Sequence, residues 1–107
     1  MIKSSGSRIS PTELEEVVYG SGLVGEAVAL GIPHPRLGQG IVIAATPKDD
    51  GVLDCDGVIA ACRETLPAYM VPHVVVARDK LARNPNGKID RKALATELSG
   101  TFEADAL

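Results

Sequence analysis

Asn84-Pro85-Asn86-Gly87-Lys88-Ile89-Asp90-Arg91-Lys92 reads as a tight turn, one lysine and the start of a helix. Pro85 presets φ for the turn, and Asn86 and Gly87 tolerate the conformations that close it. Asp90 suits a helix N-cap, with Ile89 before it and Leu94 after it placed as a hydrophobic staple. Lys88 is therefore held at a defined place between turn and helix, where an ammonium acts as a point charge on phosphate or carboxylate oxygens. Taken alone, a lysine in a turn is usually a solvated charge, so its meaning rests on what surrounds it.

Outward from this stretch, the helix opened by Asp90 runs from Arg91 to Leu98 and stops at Gly100, leaving Thr101 to Leu107 as a frayed tail. Upstream, His73 to Ala77 reads as a strand. It is reached through Leu66-Pro67-Ala68-Tyr69-Met70-Val71-Pro72, a connector made rigid by two prolines. Before that comes a helix capped by Asp54 or Asp56 and running to about Thr65, with Val58, Ile59, Cys62 and Leu66 at helical spacing. Ile41-Val42-Ile43-Ala44-Ala45 is an almost wholly apolar strand, as burial on both faces requires. Val24 to Ile32 is another strand, broken by Pro33-His34-Pro35 and followed by a Gly38-Gln39-Gly40 turn, and Pro47-Lys48-Asp49-Asp50-Gly51 closes the unit.

The first helix begins at Ser10-Pro11-Thr12-Glu13, where Ser10 is the N-cap, Pro11 takes the first helical position and Glu13 completes a capping box. Leu14, Val17 and Val18 form its apolar face, Glu13, Glu15 and Glu16 lie toward solvent or the helix N-terminus, and Gly20 and Gly22 end it. Met1 to Ile9 reads as a hairpin, Met1-Ile2-Lys3 and Ser7-Arg8-Ile9 about a Ser4-Ser5-Gly6 turn, with Gly6 the natural positive-φ residue. So short a hairpin is marginal unless something supports it. The expected fold class is α+β: a small three-stranded sheet covered by helices, with an N-terminal β-hairpin arm, in one domain over residues 1–107.

A chain of 107 residues suits one modest core, and with only Tyr19, Tyr69 and Phe102 as aromatics that core must be aliphatic. The net charge of −3 excludes bulk attraction to nucleic acid or an anionic membrane, and no apolar run is long enough to span a bilayer. Yet Arg78, Lys80, Arg83, Lys88, Arg91 and Lys92 fall in one stretch opposed only by Asp79 and Asp90. This is either a solvated basic face or a local anion site. Cys55 and Cys62 lie on one helix with Cα atoms about 10 Å apart, too far for a disulfide. Neither they nor His34 and His73 have metal-ligand spacing. Two reduced thiols suit a cytoplasmic protein. The cysteines, Tyr69 and Met70 read as packing residues, His34 as exposed, and His73 as lacking an evident partner.

Two separate motifs resemble one family. Lys3-Ser4-Ser5-Gly6-Ser7-Arg8-Ile9-Ser10-Pro11-Thr12-Glu13-Leu14-Glu15 is similar to the glycine-turn motif that opens the C-terminal domain of adenylate-forming (AMP-binding) enzymes. Asn84-Pro85-Asn86-Gly87-Lys88-Ile89-Asp90-Arg91 is similar to their closing lysine motif. Gly31-Ile32-Pro33-His34-Pro35-Arg36-Leu37-Gly38 and Leu66-Pro67-Ala68-Tyr69-Met70-Val71-Pro72 match the family pattern in order and spacing between them. The superfamily includes acyl-CoA synthetases, peptide-synthetase adenylation domains and luciferases, and the pattern is most like acyl-CoA ligases.

The resemblance implies a mobile C-terminal lid that works with a large N-terminal domain of the same enzyme, absent from this sequence together with the hinge residue expected before Met1. It implies a reaction in which a carboxylic acid and ATP, with Mg²⁺ bound mainly by the large domain, give an acyl adenylate and pyrophosphate. A thiol then displaces AMP, from CoA or, alternatively, from a carrier-protein pantetheine. Lys88 matches the catalytic lysine of adenylation, Arg8 an arginine on nucleotide phosphate, and Ser5 and Gly6 the turn beside the pantetheine path. Arg78, Lys80, Arg83 or Arg91 are candidates for the CoA phosphates. Ser7 stands where the family often has an aromatic residue and Gln39 where an acidic one is common, the latter with little expected effect. The isolated chain is expected to be inactive. A reading of another class is a free-standing, non-catalytic interaction module.

Overall fold

The computed structural model describes residues 2–4, 6–36, 38–48 and 51–101. The expectations for Met1, Ser5, the Asp49-Asp50 turn and the tail beyond Thr101 lie outside these residues. The architecture is α+β. Strand β4 (Gly38–Pro47) lies between β3 (Val24–His34), its antiparallel neighbour, and β5 (Val74–Ala77), which it pairs in parallel. A parallel pair needs a long crossover, and here helix α2 (Cys55–Thr65) and a short 3-10 turn (Ala68–Met70) supply it.

β4 is buried on both faces, as its apolar run implied. Ile41, Ile43 and Ala45 point into one core with Leu14, Val18, Val58 and Cys62, beneath α1 (Pro11–Gly20) and α2. Val42 and Ala44 point into a second core with Val28, Leu30, Ile32, Leu81, Leu94 and Leu98, beneath α3 (Arg91–Glu97). Among the described residues, no aromatic side chain belongs to either core. Burying an aliphatic side chain of this size contributes about 2 kcal/mol, so the double-sided strand is the centre of the fold's stability.

Each helix starts where its cap residue stands. Ser10, Asp54 and Asp90 accept from the amides of Glu13, Gly57 and Ala93, and Pro11 opens α1. Cys55 and Cys62 both lie on α2 as free thiols.

The hairpin forms from β1 (Ile2–Ser4) and β2 (Ser7–Ile9), with Gly6 at φ 82°. Its support is visible: Ile2 and Ile9 are buried in the first core, Ser4 pairs with Gly38 of β4, and the Lys3 amide donates to Gln39 Oε1 at 2.9 Å. Gln39, from which little was expected, thus helps to fasten the arm to the sheet.

Several details correct the sequence reading. Pro33 does not break β3, which continues through His34, and Gly38 to Gly40 are not a turn but the start of β4. β3 is an edge strand, and the Ala29 amide, on the same outward-facing register as Pro33, bonds away from β4. The amide that Pro33 lacks would point the same way, so no ladder bond is lost. Glu15 does not face solvent but is largely buried against β3. His73 has a partner: its Nδ1 accepts from the Ile41 amide at 2.9 Å. Met70 packs into the core as expected, whereas Tyr69 is exposed, and His34, read as exposed, is half-buried, its ring 6.3 Å from that of His73.

Candidate functional site

Lys88 sits on a tight hairpin. The Gly87 amide donates to the Asn84 carbonyl (2.9 Å) across the turn, and the Asn84 amide donates to the Lys88 carbonyl (2.8 Å). Asn84 also acts through its side chain, where Oδ1 accepts from the amides of Asn86 (3.0 Å) and Lys88 (3.2 Å). Gly87, at φ 81°, occupies the left-handed position that follows the turn in three-residue hairpin loops. Below it, Arg83 and Ile89 form an antiparallel bridge, and the Asp90 amide donates to the Ala82 carbonyl at 2.7 Å. Ile89 and Leu94 pack in the second core as the staple predicted. The Lys88 backbone is thus fixed on both sides, while its ammonium is exposed and makes no hydrogen bond or ion pair among the described residues.

The other cations of this stretch are mostly engaged. Arg78 pairs with Glu97 (3.1 Å), Arg91 with Glu15 (2.6 Å) and Arg83 with Glu26. Of the four residues considered for CoA phosphates, only Lys80 lacks an ion-pair partner among the described residues. Sequence reading missed these pairs because the acidic partners lie far away in the chain: Glu26 is 57 residues from Arg83, and Glu15 is 76 from Arg91. The hydrogen bonds to Glu15 hold the Arg91 guanidinium above its ordinary range, against the opposing effect of burial.

Arg8 lies on β2, exposed, opposite Lys3 of β1. Like charges directly across a strand pair repel, and a bound anion relieves that repulsion. Lys3 was missed as a candidate because a Ser4-Ser5-Gly6 turn sets Lys3 opposite Ser7, whereas Ser4 belongs to β1 and meets Ser7, and Lys3 meets Arg8. Gly6 is exposed, and an added Cβ would meet nothing within 4 Å, so its surface is open to an approaching ligand. Ser5 lies outside the described residues.

The two groups are not brought together. Arg83 ties the Lys88 hairpin to Glu26 near the start of β3, whereas the arm joins β4 at Gly38, opposite His34 at the end of β3. Eight residues of strand separate Glu26 from His34, about 26 Å of extended chain. Two open grooves, of about 540 Å³ beside Glu16 and Ala61 and about 560 Å³ beside Pro72 and His73, are lined by none of Lys3, Gly6, Arg8 and Lys88. Among the described residues no cluster of His, Cys, Asp and Glu is arranged to hold a metal ion, and no helix is long and apolar enough to cross a membrane.

The surface is thus an exposed ammonium on a fixed backbone turn, unpaired among the described residues, at one end of a sheet and a glycine turn flanked by two cations at the other. Known proteins share this framework. Residues 13–88 match the AMP-binding enzyme C-terminal domain. The chain is 40% identical over 97 residues to a long-chain-fatty-acid–CoA ligase of Haemophilus influenzae, covering 91% of this chain and 17% of that protein. It is 35% identical over 95 residues to a probable CoA ligase, CCL9, of Humulus lupulus, covering 89% and 18%. Among solved structures, apo MatB from Rhodopseudomonas palustris superimposes with a TM-score of 0.89 at 23% identity, over 94% of this chain and 20% of that one, a likeness of fold. A Mycobacterium tuberculosis fatty acyl CoA synthetase gives 0.84 at 29% identity, again over 94% and 20%. The chain spans about a fifth of the length of the curated relatives it matches. With the match extending over most of its length, the chain belongs to the AMP-binding enzyme C-terminal domain family.

Proposed function

We propose that this chain is the mobile lid of an ATP-dependent, AMP-forming acid–CoA ligase, working against a large domain that binds the nucleotide, Mg²⁺ and the acid. The observation that carries the reading is the Lys88 hairpin: a backbone fixed from both sides presents an ammonium that no described residue neutralises.

In the first half-reaction a carboxylate oxygen attacks the α-phosphorus of ATP and pyrophosphate leaves with the electrons of the broken anhydride bond. Two anions must approach each other, and Lys88 offsets their repulsion while the negative charge shifts to the departing pyrophosphate. Arg8, with Lys3 beside it, meets nucleotide phosphate. In the second half-reaction the sulfur of CoA attacks the acyl carbon and AMP leaves. Ser5 and Gly6 line the pantetheine path, where the glycine leaves room for the thiol arm, and Lys80 is the basic residue left for the CoA phosphates. The separation of the two groups along β3 supports a lid that turns between the half-reactions, presenting Lys88 first and the arm second.

The test is AMP release from acid, Mg-ATP and CoA by this chain joined to its large domain, with Lys88→Ala as the variant. Acid- and CoA-dependent release, with adenylate formation suppressed in Lys88→Ala and thiolation of supplied adenylate retained, is the expected result. Adenylate formation equal to wild type in Lys88→Ala overturns the role of Lys88. Activity with a pantetheinylated carrier protein and none with CoA moves the acceptor from CoA to a carrier.

A further inference from the structure

We propose that Arg83 and Glu26 are positioning residues for Lys88, a role that rests on the adenylation reading above. One guanidinium joins two things. Its Nη1 donates to the carbonyl of Gly87, the residue before Lys88, at 2.9 Å, and its Nη2 pairs with the carboxylate of Glu26. The backbone carrying the lysine is therefore tied to strand β3 by a single planar fork, which a lysine at position 83 does not reproduce.

Glu26 is itself well anchored. The β3–β4 register shifts between Val24 and Ala27, a bulge that places Glu26 out of the regular alternation. Gly25 admits the bulge, since a Cβ there would lie 2.8 Å from the Pro47 carbonyl oxygen. The Glu26 amide donates to Oγ1 of the buried Thr46 at 2.9 Å. A glutamate whose backbone is fixed on the sheet thus holds the arginine, and the arginine holds the turn.

The pair is too exposed to matter much for stability, with side chains at 44% and 38% accessibility, and exposed ion pairs contribute little. The hairpin's own hydrogen bonds remain without it. What the pair removes is freedom of the hairpin to tilt against the sheet. Displacements of about 1 Å at a reacting group cost on the order of a hundredfold in rate.

The experiment uses the chain joined to its large domain and compares Glu26→Ala, Arg83→Lys and Lys88→Ala in three measurements: acyl-adenylate formation, thiolation of supplied acyl adenylate by CoA, and Tm. For Glu26→Ala and Arg83→Lys, adenylate formation is expected to slow by about tenfold or more through kcat, with unchanged thiolation. Their Tm is expected to fall by no more than about 5 °C. Adenylate formation within about twofold of wild type in both, while Lys88→Ala is impaired, overturns the positioning role alone. Loss of both half-reactions in parallel with a larger fall in Tm makes the pair merely structural and also overturns it. An unimpaired Lys88→Ala removes the reading on which the inference rests, and both fall together.

Discussion

Glu15 of α1 and Arg91 of α3 clasp the same residue of β3, Ala29, from opposite sides of the sheet. Arg91 Nη1 lies 2.6 Å from Glu15 Oε2 and its Nη2 donates to Oε1 at 2.8 Å. The carboxylate also accepts the Ala29 amide at 2.8 Å, and the guanidinium donates to the Ala29 carbonyl at 3.2 Å. The outward-facing groups of Ala29 on this edge strand are satisfied, and the layers above and below the sheet are joined at the point where β3 would otherwise be open.

Glu15→Ala should therefore cost more than an ordinary surface charge. It leaves the Ala29 amide without a partner and Arg91 without its carboxylate, a loss of about 2 kcal/mol. Urea denaturation of the chain measures this, and Glu15→Ala with Arg91→Ala should fall well short of the sum of the single variants, since both act on one network.

Tyr19 repeats the device one helical turn later. Its hydroxyl accepts the Ala27 amide at 2.9 Å and lies 3.3 Å from the Ala27 carbonyl, to which it donates. Tyr19→Phe is expected to lose about 1 kcal/mol and to speed exchange of the Ala27 amide. Combined with Glu15→Ala it exposes two successive outward peptides of β3, and light scattering should then show association through the bared edge.

Asn84 is the residue to change if the Lys88 turn is to be loosened without touching the lysine. Asn84→Ala removes the acceptor shared by the Asn86 and Lys88 amides. Hydrogen exchange at Lys88 should rise by about tenfold, the equivalent of about 1.4 kcal/mol of lost local protection. Asn84→Asp, which keeps an acceptor oxygen, should restore most of that protection.

Burial pushes the Cys62 thiol above its ordinary value of 9.0, and burial aided by Asp56 and Asp54 does the same to Cys55. Both folded-state values are raised, so the unfolded chain releases these protons first. The associated stability is whole below pH 9.0 and is lost as pH rises through the folded values. Denaturant midpoints measured from pH 7 upward should hold level and then fall, with a shallower fall in Cys62→Ala. Cys62 should resist thiol reagents at neutral pH until the chain unfolds.

Local chemistry was the legible part of this molecule. The caps at Ser10, Asp54 and Asp90, the glycine turn at Gly6 and the two-sided burial of β4 all follow from neighbours in the sequence. Pro33 misled because its cost depends on whether β3 lies at an edge, which only the assembled sheet decides. Glu15 misled because helical spacing marks it as polar without saying that β3 offers it an amide and α3 a guanidinium. The lysine turn was recognisable from its residues, yet what orients it, Arg83 and Glu26, required a contact across 57 residues.

The length of β3 makes the sheet a lever. With about 26 Å of strand between His34, beside the arm, and Glu26, which Arg83 ties to the Lys88 hairpin, each degree of pivot at the His34 end carries the Glu26 end through about 0.45 Å. On the adenylation role proposed for Lys88, holding its hairpin to within about 1 Å then demands angular accuracy of about 2° at the far end. A surface change that lets the sheet rock by a few degrees at the arm would displace the Lys88 hairpin without touching it.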